Sequence, residues 1–509
     1  MSNHYDVEKL LFRRQFIMGS AHVDQFPTWE KAQFANGYFL TIHPDLPYCK
    51  ATKNEFEILL LGFIIDPDHP EYSNEMVLQT LLDGMKSIDD IFTKNLTDNL
   101  GGRWILMIND GKELRMFHDA AGLRQICYMK DPQHGIWCGS TPGILAEQFN
   151  LKIGKDAQAF IDSPQWEHAH EWWWPGTTTP FEEISQVLPN FYLDLKTCAT
   201  HRYWPNKHYP YPIPYKEGIE KSATLLKKLC YAGYRRFPVE GTLSAGYDSR
   251  TILAASKEFA KEIEYLTLIY WSYTEESADA SISKSLIHDL GLKQQIVKCL
   301  KESTKEFNEI YFRNVTTAHP AYAIINETLI QHFPQDKIAI KGTVSSEVMR
   351  EQYIDKTRKK DGKNFAQISG FNGNKFMEKH LQLWLDEALP YAKKYNVHIN
   401  EMYGWEQQTG KWQAMTQAEG DIAQEVFVPF NCRNLIMNML EVNDKYRRPF
   451  YYKLYYEMVQ FNWPACNAYP MNPQKRGWKP RTKNIIRALG LYPLFITVFY
   501  KIYKQKSHF

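Results

Sequence analysis

Residues 241–255 read GTLSAGYDSRTILAA, and this stretch decides how the second half of the chain folds. Residues 239–243 predict a buried strand, residues 244–248 predict a tight turn, and a helix is expected over residues 249–259. A strand that is followed at once by a turn and a helix is the repeating unit of α/β proteins. The stretch therefore predicts one strand and one crossover of a parallel sheet.

The turn carries residues that suit an anion. Small side chains at Ser244, Ala245 and Gly246 let backbone N–H groups approach a phosphate, and the helix N-terminus adds partial positive charge. Asp248 would repel a bare phosphate, so we expect a Mg²⁺ ion between its carboxylate and the phosphate oxygens. An ordinary strand–turn–helix corner, with Asp248 and Ser249 as N-terminal caps, is the alternative.

Strands and helices alternate on the C-terminal side of this turn. We predict helices over residues 217–236 and 277–291, strands over residues 263–270, 295–299 and 337–340, and a helical, aromatic-rich region from residue 376 to the end. Such alternation predicts a doubly wound parallel sheet. Sheets of this kind bind ligands at the carboxyl ends of their strands, which is where the turn lies.

The first half of the chain predicts a β-rich unit of a different kind. Strands are expected at residues 58–65, 103–109 and 114–118, the last two pairing as a hairpin across the turn Asp110-Gly111. Residues 205–215 contain four prolines and mark a stiff linker. We therefore expect a β-rich domain over residues 1–205 and an α/β domain over residues 206–509.

Composition excludes several classes of protein. The 509 residues are 44% hydrophobic and 23% charged with a formal net charge of +2, which argues against disorder and against nucleic-acid binding. The eight cysteines lie far apart without metal-ligand spacing, as expected in a reducing cytoplasm. We expect no signal peptide, and no apolar run reaches the roughly 18 residues of a spanning helix. The predicted localisation is cytoplasmic.

The C-terminal segment is unusually apolar. Residues 484–504 read NIIRALGLYPLFITVFYKIYK and are flanked by lysines and arginines. We expect this segment to pack on the chain or on a partner subunit, and a homodimer would offer such a partner. Peripheral contact with an anionic membrane surface is the alternative.

Six motifs occur in an order that resembles the asparagine synthetase family of ATP-pyrophosphatase ligases. They are LSAGYDS (243–249), ESADASIS (276–283), VTTAHPAY (315–322), IAIKGTVSSEV (338–348), VFVPFNCRNL (426–435) and MNPQKRGW (471–478). The first is similar to the family's pyrophosphate-binding loop, usually SGGxDS. The segments LGGRWILMIND and HDAAGLRQICY resemble the family's class II glutaminase domain. The resemblance implies an Ntn-type, glutaminase-like domain followed by an ATP-pyrophosphatase domain with a helical tail.

The same resemblance implies an enzyme that uses ATP and Mg²⁺ to adenylate a carboxylate, releases pyrophosphate, and passes the acyl group to an amine. It implies ATP contacts at Leu243, Ser244, Ala245, Gly246, Asp248, Ser249, Ile269 and Gly342, Mg²⁺ contacts at Asp248 and Glu347, and catalytic roles for Asp248, Glu347 and Lys475. Lys475 matches the lysine of the family's K-x-G-aromatic segment. A cation there would stabilise charge that develops on the α-phosphate.

Two departures from the family pattern limit what the resemblance implies. Ser2 stands where class II glutaminases carry a cysteine nucleophile, so we expect no glutamine hydrolysis. Ser346 stands where the family motif SGxGxDE has a metal-binding aspartate, which leaves Glu347 to inherit that role. Thr343 occupies a position that the family links with the incoming amine.

These departures favour relatives that form β-lactams or cyclise lasso peptides, with a small-molecule, peptide or sugar carboxylate and an amine as substrates. A glutamine- or ammonia-dependent asparagine synthetase is one alternative, and a non-catalytic nucleotide-binding scaffold is another. Residues 168–171, HAHE, have the residue types of a metal site, but the tryptophans at 166 and 172–174 favour a packed loop.

Overall fold

The computed structural model describes residues 5–35, 37–169, 171–271, 273–349, 359–448 and 452–473. These residues form a mixed α/β protein with three sheets. Two sheets of six antiparallel strands lie in the first half of the chain, and one sheet of five parallel strands lies in the second half. The predicted change from a β-rich unit to a parallel α/β unit is confirmed.

The first half contains twelve strands and six short helices among the described residues. The strands are β1 (Phe16–Gly19), β2 (Glu30–Phe34), β3 (Tyr38–Ile42), β4 (Tyr48–Lys53), β5 (Phe56–Ile65), β6 (Gly101–Asn109), β7 (Leu114–His118), β8 (Cys127–Asp131), β9 (Gly135–Gly139), β10 (Ser185–Gln186), β11 (Phe191–Asp194) and β12 (Ala199–Arg202). The helices are α1 (Val7–Leu10), α2 (Asn74–Gly84), α3 (Asp90–Thr93), α4 (Pro142–Phe149), α5 (Lys155–Ile161) and α6 (Pro164–Glu167).

The two antiparallel sheets face each other across a hydrophobic core. Their strand orders are β10-β8-β9-β1-β3-β2 and β12-β11-β7-β6-β5-β4. Phe16 and Ile42 from the first sheet pack with Leu61 and Met107 from the second, and all four side chains are buried. Helix α2 covers the outer face of the second sheet and α4 packs on β9 of the first. The predicted strand at residues 58–65 and the β6–β7 hairpin are both confirmed.

The second half alternates helices with short strands. The strands are β13 (Val239–Thr242), β14 (Glu264–Ile269), β15 (Lys293–Lys298), β16 (Ile338–Ile340) and β17 (Glu425–Phe427). The helices are α7 (Tyr215–Arg236), α8 (Tyr247–Ala255), α9 (Ala278–Leu290), α10 (Lys305–Asn314), α11 (Pro320–His332), α12 (Ser345–Val348), α13 (Gly362–Ile368), α14 (Lys375–Tyr395), α15 (Ile399–Tyr403), α16 (Ala414–Gly420), α17 (Arg433–Leu440) and α18 (Lys453–Asn462). A π-helix, Gly404–Gln413, joins α15 to α16.

The parallel sheet has the strand order β15-β14-β13-β16-β17. The chain runs outward from β13 through β14 to β15, and then returns to add β16 and β17 on the other side of β13. The strand order therefore reverses next to β13, and a crevice at such a point, outside the carboxyl ends of the strands, is where open α/β sheets bind ligands.

Two element predictions in this half are wrong. Helix α8 begins at Tyr247 and ends at Ala255, instead of covering residues 249–259. The region after residue 376 is not wholly helical, because Glu425–Phe427 forms the buried edge strand β17. A run as short as EVFVPF has no periodicity that separates a strand from a buried helix, and only its pairing with β16 decides the matter.

Buried ion pairs join the two halves. Arg103 on β6 donates to both carboxylate oxygens of Asp421, and it also contacts Glu425 Oε1 at 3.2 Å. Arg124 Nη2 donates to Glu425 Oε2 at 3.0 Å, and Arg14 Nη1 donates to the Asp421 carbonyl at 2.5 Å. We call these five residues the interface ion cluster. The boundary at residue 205 stays a prediction, because one hydrophobic core also runs through both halves.

The linker of residues 205–215 is held against the second half. The Tyr209 side chain is buried, and its backbone N–H donates to the Tyr395 carbonyl at 3.4 Å. The Ile213 N–H donates to the Glu441 carbonyl at 3.0 Å, two residues before α7 begins. The segment is therefore packed against the second half rather than a free spacer, and its stiffness stays a prediction.

All eight cysteines are free thiols, which agrees with the absence of a disulfide framework in the sequence pattern. Within the described ranges, no helix combines the length and the apolar character that crossing a bilayer requires. Residues 484–504, for which a packed or membrane-associated segment is predicted, lie outside the described residues.

Candidate functional site

The candidate site begins with the loop between β13 and α8. Leu243 and Ala245 are buried, whereas Ser244 and Gly246 are half-buried. Gly246 is the N-cap of α8 in extended conformation, and no side chain caps the helix through a hydrogen bond. Asp248 and Ser249 therefore lie in the first turn of the helix, so the alternative in which they serve as its caps is wrong.

Two serine hydroxyls close this loop. The Ser244 N–H donates to Ser249 Oγ at 3.2 Å, and the two hydroxyl oxygens lie 3.0 Å apart. The Gly246 N–H donates to Ser244 Oγ at 3.1 Å. The loop is consequently preorganised by its own side chains, with the N-terminus of a nine-residue helix behind it.

Two residues that the sequence analysis did not assign also contact the loop. The Ala245 N–H donates to Asp279 Oδ1 at 2.8 Å, and the Asn472 N–H donates to the Ala245 carbonyl at 2.8 Å. The Ala245 amide therefore donates to a carboxylate oxygen, which is the kind of acceptor that an anionic ligand offers. Both residues lie in motifs that carried the family resemblance, which was the available signal.

A second loop, after β16, meets the first turn of α8. A Cβ on Gly342 would stand 2.7 Å from Asp248 Cβ and 2.8 Å from the Asp248 carbonyl carbon, so only glycine allows this approach. Val344 adopts φ +76°, a left-handed conformation that a β-branched residue rarely takes. The turn brings Ser345 to Asp248, and the Ser345 hydroxyl donates to Asp248 Oδ1. Such strain is concentrated at functional sites.

Glu347 lies two residues beyond Ser345 and is buried. The Ser346 hydroxyl donates to Glu347 Oε1. The carboxylates of Asp248 and Glu347 and the hydroxyls beside them are hard oxygen donors, the ligand chemistry that Mg²⁺ prefers. No group of three or more His, Cys, Asp or Glu side chains suited to a metal ion occurs in the described part of the chain. An ion held here would need further oxygens from its substrate, which is how phosphate-bound Mg²⁺ is held in many enzymes.

Lys341 precedes Gly342 at the carboxyl end of β16, and the sequence analysis gave it no role. Burial, followed by the positive charge of Arg103, lowers the pKa of Lys341 to about 8. The backbone N–H of Lys341 donates to the Phe427 carbonyl at 3.0 Å, which continues the ladder to β17. Through Lys341, the loop after β16 therefore lies next to the interface ion cluster.

Ile269 ends β14, the strand next to β13, and its side chain is buried. Its carbonyl accepts a hydrogen bond from the Cys299 N–H at 2.8 Å. The structure thus places Ile269 at the same edge of the sheet as the loop before α8, and its contact with ATP stays a prediction. Because the Ile269 side chain is buried in the core, a ligand at this edge would contact the backbone of Ile269 or the residues that follow it.

Two of the sequence candidates, Lys475 and Ser2, lie outside the described residues. The chain before Lys475 is anchored beside the loop, because buried Arg250 on α8 donates from Nη1 to the carbonyls of Tyr469 (2.5 Å) and Cys466 (3.4 Å). Asn472 then reaches Ala245. The structure therefore brings together Leu243, Ser244, Ala245, Gly246, Asp248, Ser249 and Gly342, with Glu347 following in α12.

Comparison with known proteins gives little further information. No protein-family model and no curated protein matches the sequence. Among solved structures, the chain is similar to "the allosteric regulatory enzyme of purine biosynthesis", at 9% identity over 67% of this chain and 71% of that one, with a TM-score of 0.23. It is also similar to glutamine phosphoribosylpyrophosphate amidotransferase from B. subtilis, at 9% identity over 66% and 71%, with a TM-score of 0.20. Scores this low carry no argument about function.

Proposed function

We propose that this protein is an ATP-dependent ligase of the asparagine synthetase type that forms amide bonds without hydrolysing glutamine. The observation that carries the proposal is the convergence of two loops on Asp248 at the carboxyl edge of a parallel sheet. One loop holds an anionic oxygen on the Ala245 amide, and the other places Gly342 and Ser345 against Asp248. Together they suit a nucleotide phosphate that is bound through a divalent cation.

In this proposal the loop from Leu243 to Ser249 binds the phosphates of ATP. Asp248 and Glu347 would hold Mg²⁺, which supplies positive charge next to the phosphates. The substrate carboxylate would attack the α-phosphorus and release pyrophosphate, and an amine would then displace AMP from the acyl group. Lys475 would stabilise the charge that develops in these steps. The carboxylate belongs to a small molecule, a peptide or a sugar.

The test measures ATP binding by calorimetry with Mg²⁺, and pyrophosphate release over a panel of carboxylates and amines. Asp248→Asn should lower pyrophosphate release by about 100-fold or more, because the amide lacks the charge that holds the cation. Asp336→Asn is the matched control, since Asp336 is exposed in the turn before β16, at the opposite edge of the sheet. If Asp248→Asn releases pyrophosphate at nearly the rate of the unaltered protein, the loop of residues 243–249 takes no part in the reaction.

A non-catalytic nucleotide-binding scaffold is the second candidate. It shares the loop of residues 243–249 with the ligase, and it differs only in having no chemical step. Ser346 in place of a metal-binding aspartate, and Ser2 in place of the glutaminase cysteine, favour this candidate. ATP binding without pyrophosphate release from any carboxylate in the panel would favour this candidate over the ligase.

A further inference from the structure

A second group of polar and aromatic residues lies beyond the carboxyl end of β14. Trp271 follows this strand by two residues, adopts φ +54°, and leaves 54% of its surface exposed. Its ring lies almost parallel to that of Tyr322 on α11, with the ring centroids 6.4 Å apart. A large exposed aromatic side chain in a strained backbone, at the edge of the sheet where ligands bind, indicates a binding surface.

A carboxylate from the other half of the chain lies against this surface. Glu171 accepts hydrogen bonds from the Tyr322 hydroxyl, at 3.2 Å to Oε1 and 3.0 Å to Oε2. The Trp412 indole N–H also donates to Glu171 Oε2, at 3.0 Å. The Glu171 side chain is 24% exposed, so its carboxylate is both fixed in position and accessible. Trp166, Trp173 and Trp174 beside the loop at residues 168–171 are buried, which fits the packed loop that the sequence favours, and His170 lies outside the described residues.

Among the described residues, the one ion-pair partner of Glu171 is His319. His319 Nε2 lies 3.4 Å from Glu171 Oε2, and no lysine or arginine of the described ranges pairs with this carboxylate. The Trp172 N–H donates to His319 Nε2 at 2.8 Å, so this nitrogen is an acceptor. Nδ1 then carries the proton and donates to Glu419 Oε1 at 2.8 Å.

The electrostatics of His319 work in two directions. Burial alone would lower its pKa, but the hydrogen bond to Glu419 and the charges of Glu419 and Glu171 outweigh burial and raise the pKa. Protonation of Nε2 would, however, break the hydrogen bond from the Trp172 N–H. In the neutral tautomer that this hydrogen bond requires, His319 brings no positive charge to Glu171, and no lysine or arginine of the described ranges does so.

These features define the chemistry of a ligand. A primary ammonium group offers three N–H donors to a carboxylate and a positive charge to aromatic faces, and a carboxylate beside aromatic rings is a site of this kind. Trp271 adds exposed apolar surface that ammonia could not use, whereas a hydrocarbon chain could. The loop before α8 and Trp271 follow neighbouring strands of one sheet, so this site and the proposed ATP site share one edge.

We propose that Glu171, Tyr322 and Trp271 bind the amine substrate as a primary alkylammonium ion. This inference rests on the proposed ligase function, because it names the second substrate of that reaction as an organic primary amine rather than free ammonia. Glu171 binds the ammonium group, while Tyr322 orients the carboxylate and Trp271 covers the adjoining hydrocarbon.

The test is calorimetric titration of the full-length protein with n-butylammonium chloride at constant ionic strength, with sodium chloride as the blank. Glu171→Gln should weaken binding at least about tenfold, because it removes the charge but keeps an acceptor for Tyr322 and Trp412. Trp271→Ala should weaken binding by about 2- to 5-fold. The matched control is Glu167→Gln, since Glu167 lies in the same loop region, is 77% exposed, and should leave binding unchanged.

Three results would overturn the inference. They are the absence of butylammonium binding in the unaltered protein, equal affinity in Glu171→Gln, and equal affinity for ammonium chloride and butylammonium chloride. ATP titration of the same samples separates this inference from the proposed function. Butylammonium binding without ATP binding would contradict the ligase and leave the cation site intact, whereas ATP turnover without butylammonium binding would contradict the amine site alone.

Discussion

Val344 shows how one residue shapes the candidate site. Its φ of +76° and ψ of −48° place a β-branched side chain in a conformation that costs about 1–3 kcal/mol. The side chain is fully buried, so packing holds the strained turn in place. As a result, the Ser345 hydroxyl donates a hydrogen bond to Asp248, which lies 97 positions earlier in the sequence.

Lys475 is the residue on which the proposed chemistry depends most directly. We expect Lys475→Ala to leave ATP affinity nearly unchanged while it lowers turnover by about 100-fold, because the lysine is assigned to charge that develops during the reaction. Calorimetry with ATP and steady-state pyrophosphate release measure the two effects separately. If ATP affinity and turnover fall equally, Lys475 binds the nucleotide in the ground state and has no separate role in the reaction.

His43 is expected to make stability depend on pH. Its Nδ1 accepts the Asp45 N–H at 2.9 Å, and its Nε2 lies 3.0 Å from the Lys9 carbonyl, an arrangement that only the neutral ring satisfies. Burial lowers its pKa to about 4 from the usual 6.5. Between pH 6.5 and pH 4, His43 therefore binds a proton in the unfolded chain but not in the folded protein. The free energy of unfolding should decrease as the pH falls through this range.

The variant His43→Asn isolates this contribution. An asparagine Oδ1 can accept the N–H two residues later, so it keeps the bond to Asp45 without titrating. Urea unfolding between pH 4 and 7 should show a fall in stability that is smaller in the variant by up to about 3 kcal/mol. Identical pH profiles for the two proteins would show that His43 takes a proton equally well in the folded state.

The loop after β16 lies directly against the first turn of α8, and Gly342 is the residue that makes this contact. Gly342→Ala would place a methyl group 2.7 Å from Asp248 Cβ, so the loop must move away from the helix. We expect about 1–3 kcal/mol of destabilisation and at least tenfold weaker ATP binding. Thermal unfolding and ATP calorimetry give the two values.

Gly420→Ala is the control for this change. Its Cβ would meet only Asn326 Oδ1, at 3.9 Å, and it ends α16, so alanine should be neutral or stabilising. If Gly342→Ala behaves like this control, then the second loop does not need to touch α8 for nucleotide binding.

Most elements follow from local patterns, and the exceptions have specific causes. The strand at β5 and the β6–β7 hairpin were predictable because a long apolar run and an Asp-Gly turn are both local signals. The start of α8 was misplaced by two residues because Gly246, and not the polar pair Asp248-Ser249, is the N-cap. Strand β17 was missed because a three-residue strand exists only through its partner β16.

For the whole molecule, the interface ion cluster decides how tightly the two halves are coupled. We expect Arg103→Ala to lower the free energy of unfolding by about 3–5 kcal/mol, because it leaves Asp421 and Glu425 buried with too little positive charge. Arg313→Ala removes another pair between the halves, to Glu147, but 47% of the Arg313 side chain is exposed, so it should cost about 1 kcal/mol or less.

Urea unfolding followed by circular dichroism and by tryptophan fluorescence distinguishes the two variants. Arg103→Ala should lower the midpoint much more than Arg313→Ala, and it should shift the transitions seen by both probes. Equal midpoints for the two variants would mean that the buried cluster contributes no more to the association of the halves than a surface pair.

The sequence by itself determined the β-rich first half, the parallel sheet of the second half, and the turn at residues 244–248 as the candidate ligand site at the edge of that sheet. These features depend on hydrophobic periodicity and on turn residues, which act over a few neighbouring positions. The sequence also supplied Gly342 and Glu347 as candidates through their motif, although nothing local shows that Gly342 must touch Asp248.

Only the tertiary structure decided the contacts between distant parts of the chain. Asp279 on the Ala245 amide, Asn472 on the Ala245 carbonyl, and Glu171 against Tyr322 join residues 34 to 227 positions apart. The interface ion cluster likewise pairs residues about 300 positions apart. A polar side chain has the same local signature whether it is solvated or bonded to a remote partner, because its partner is chosen by packing of the surrounding elements.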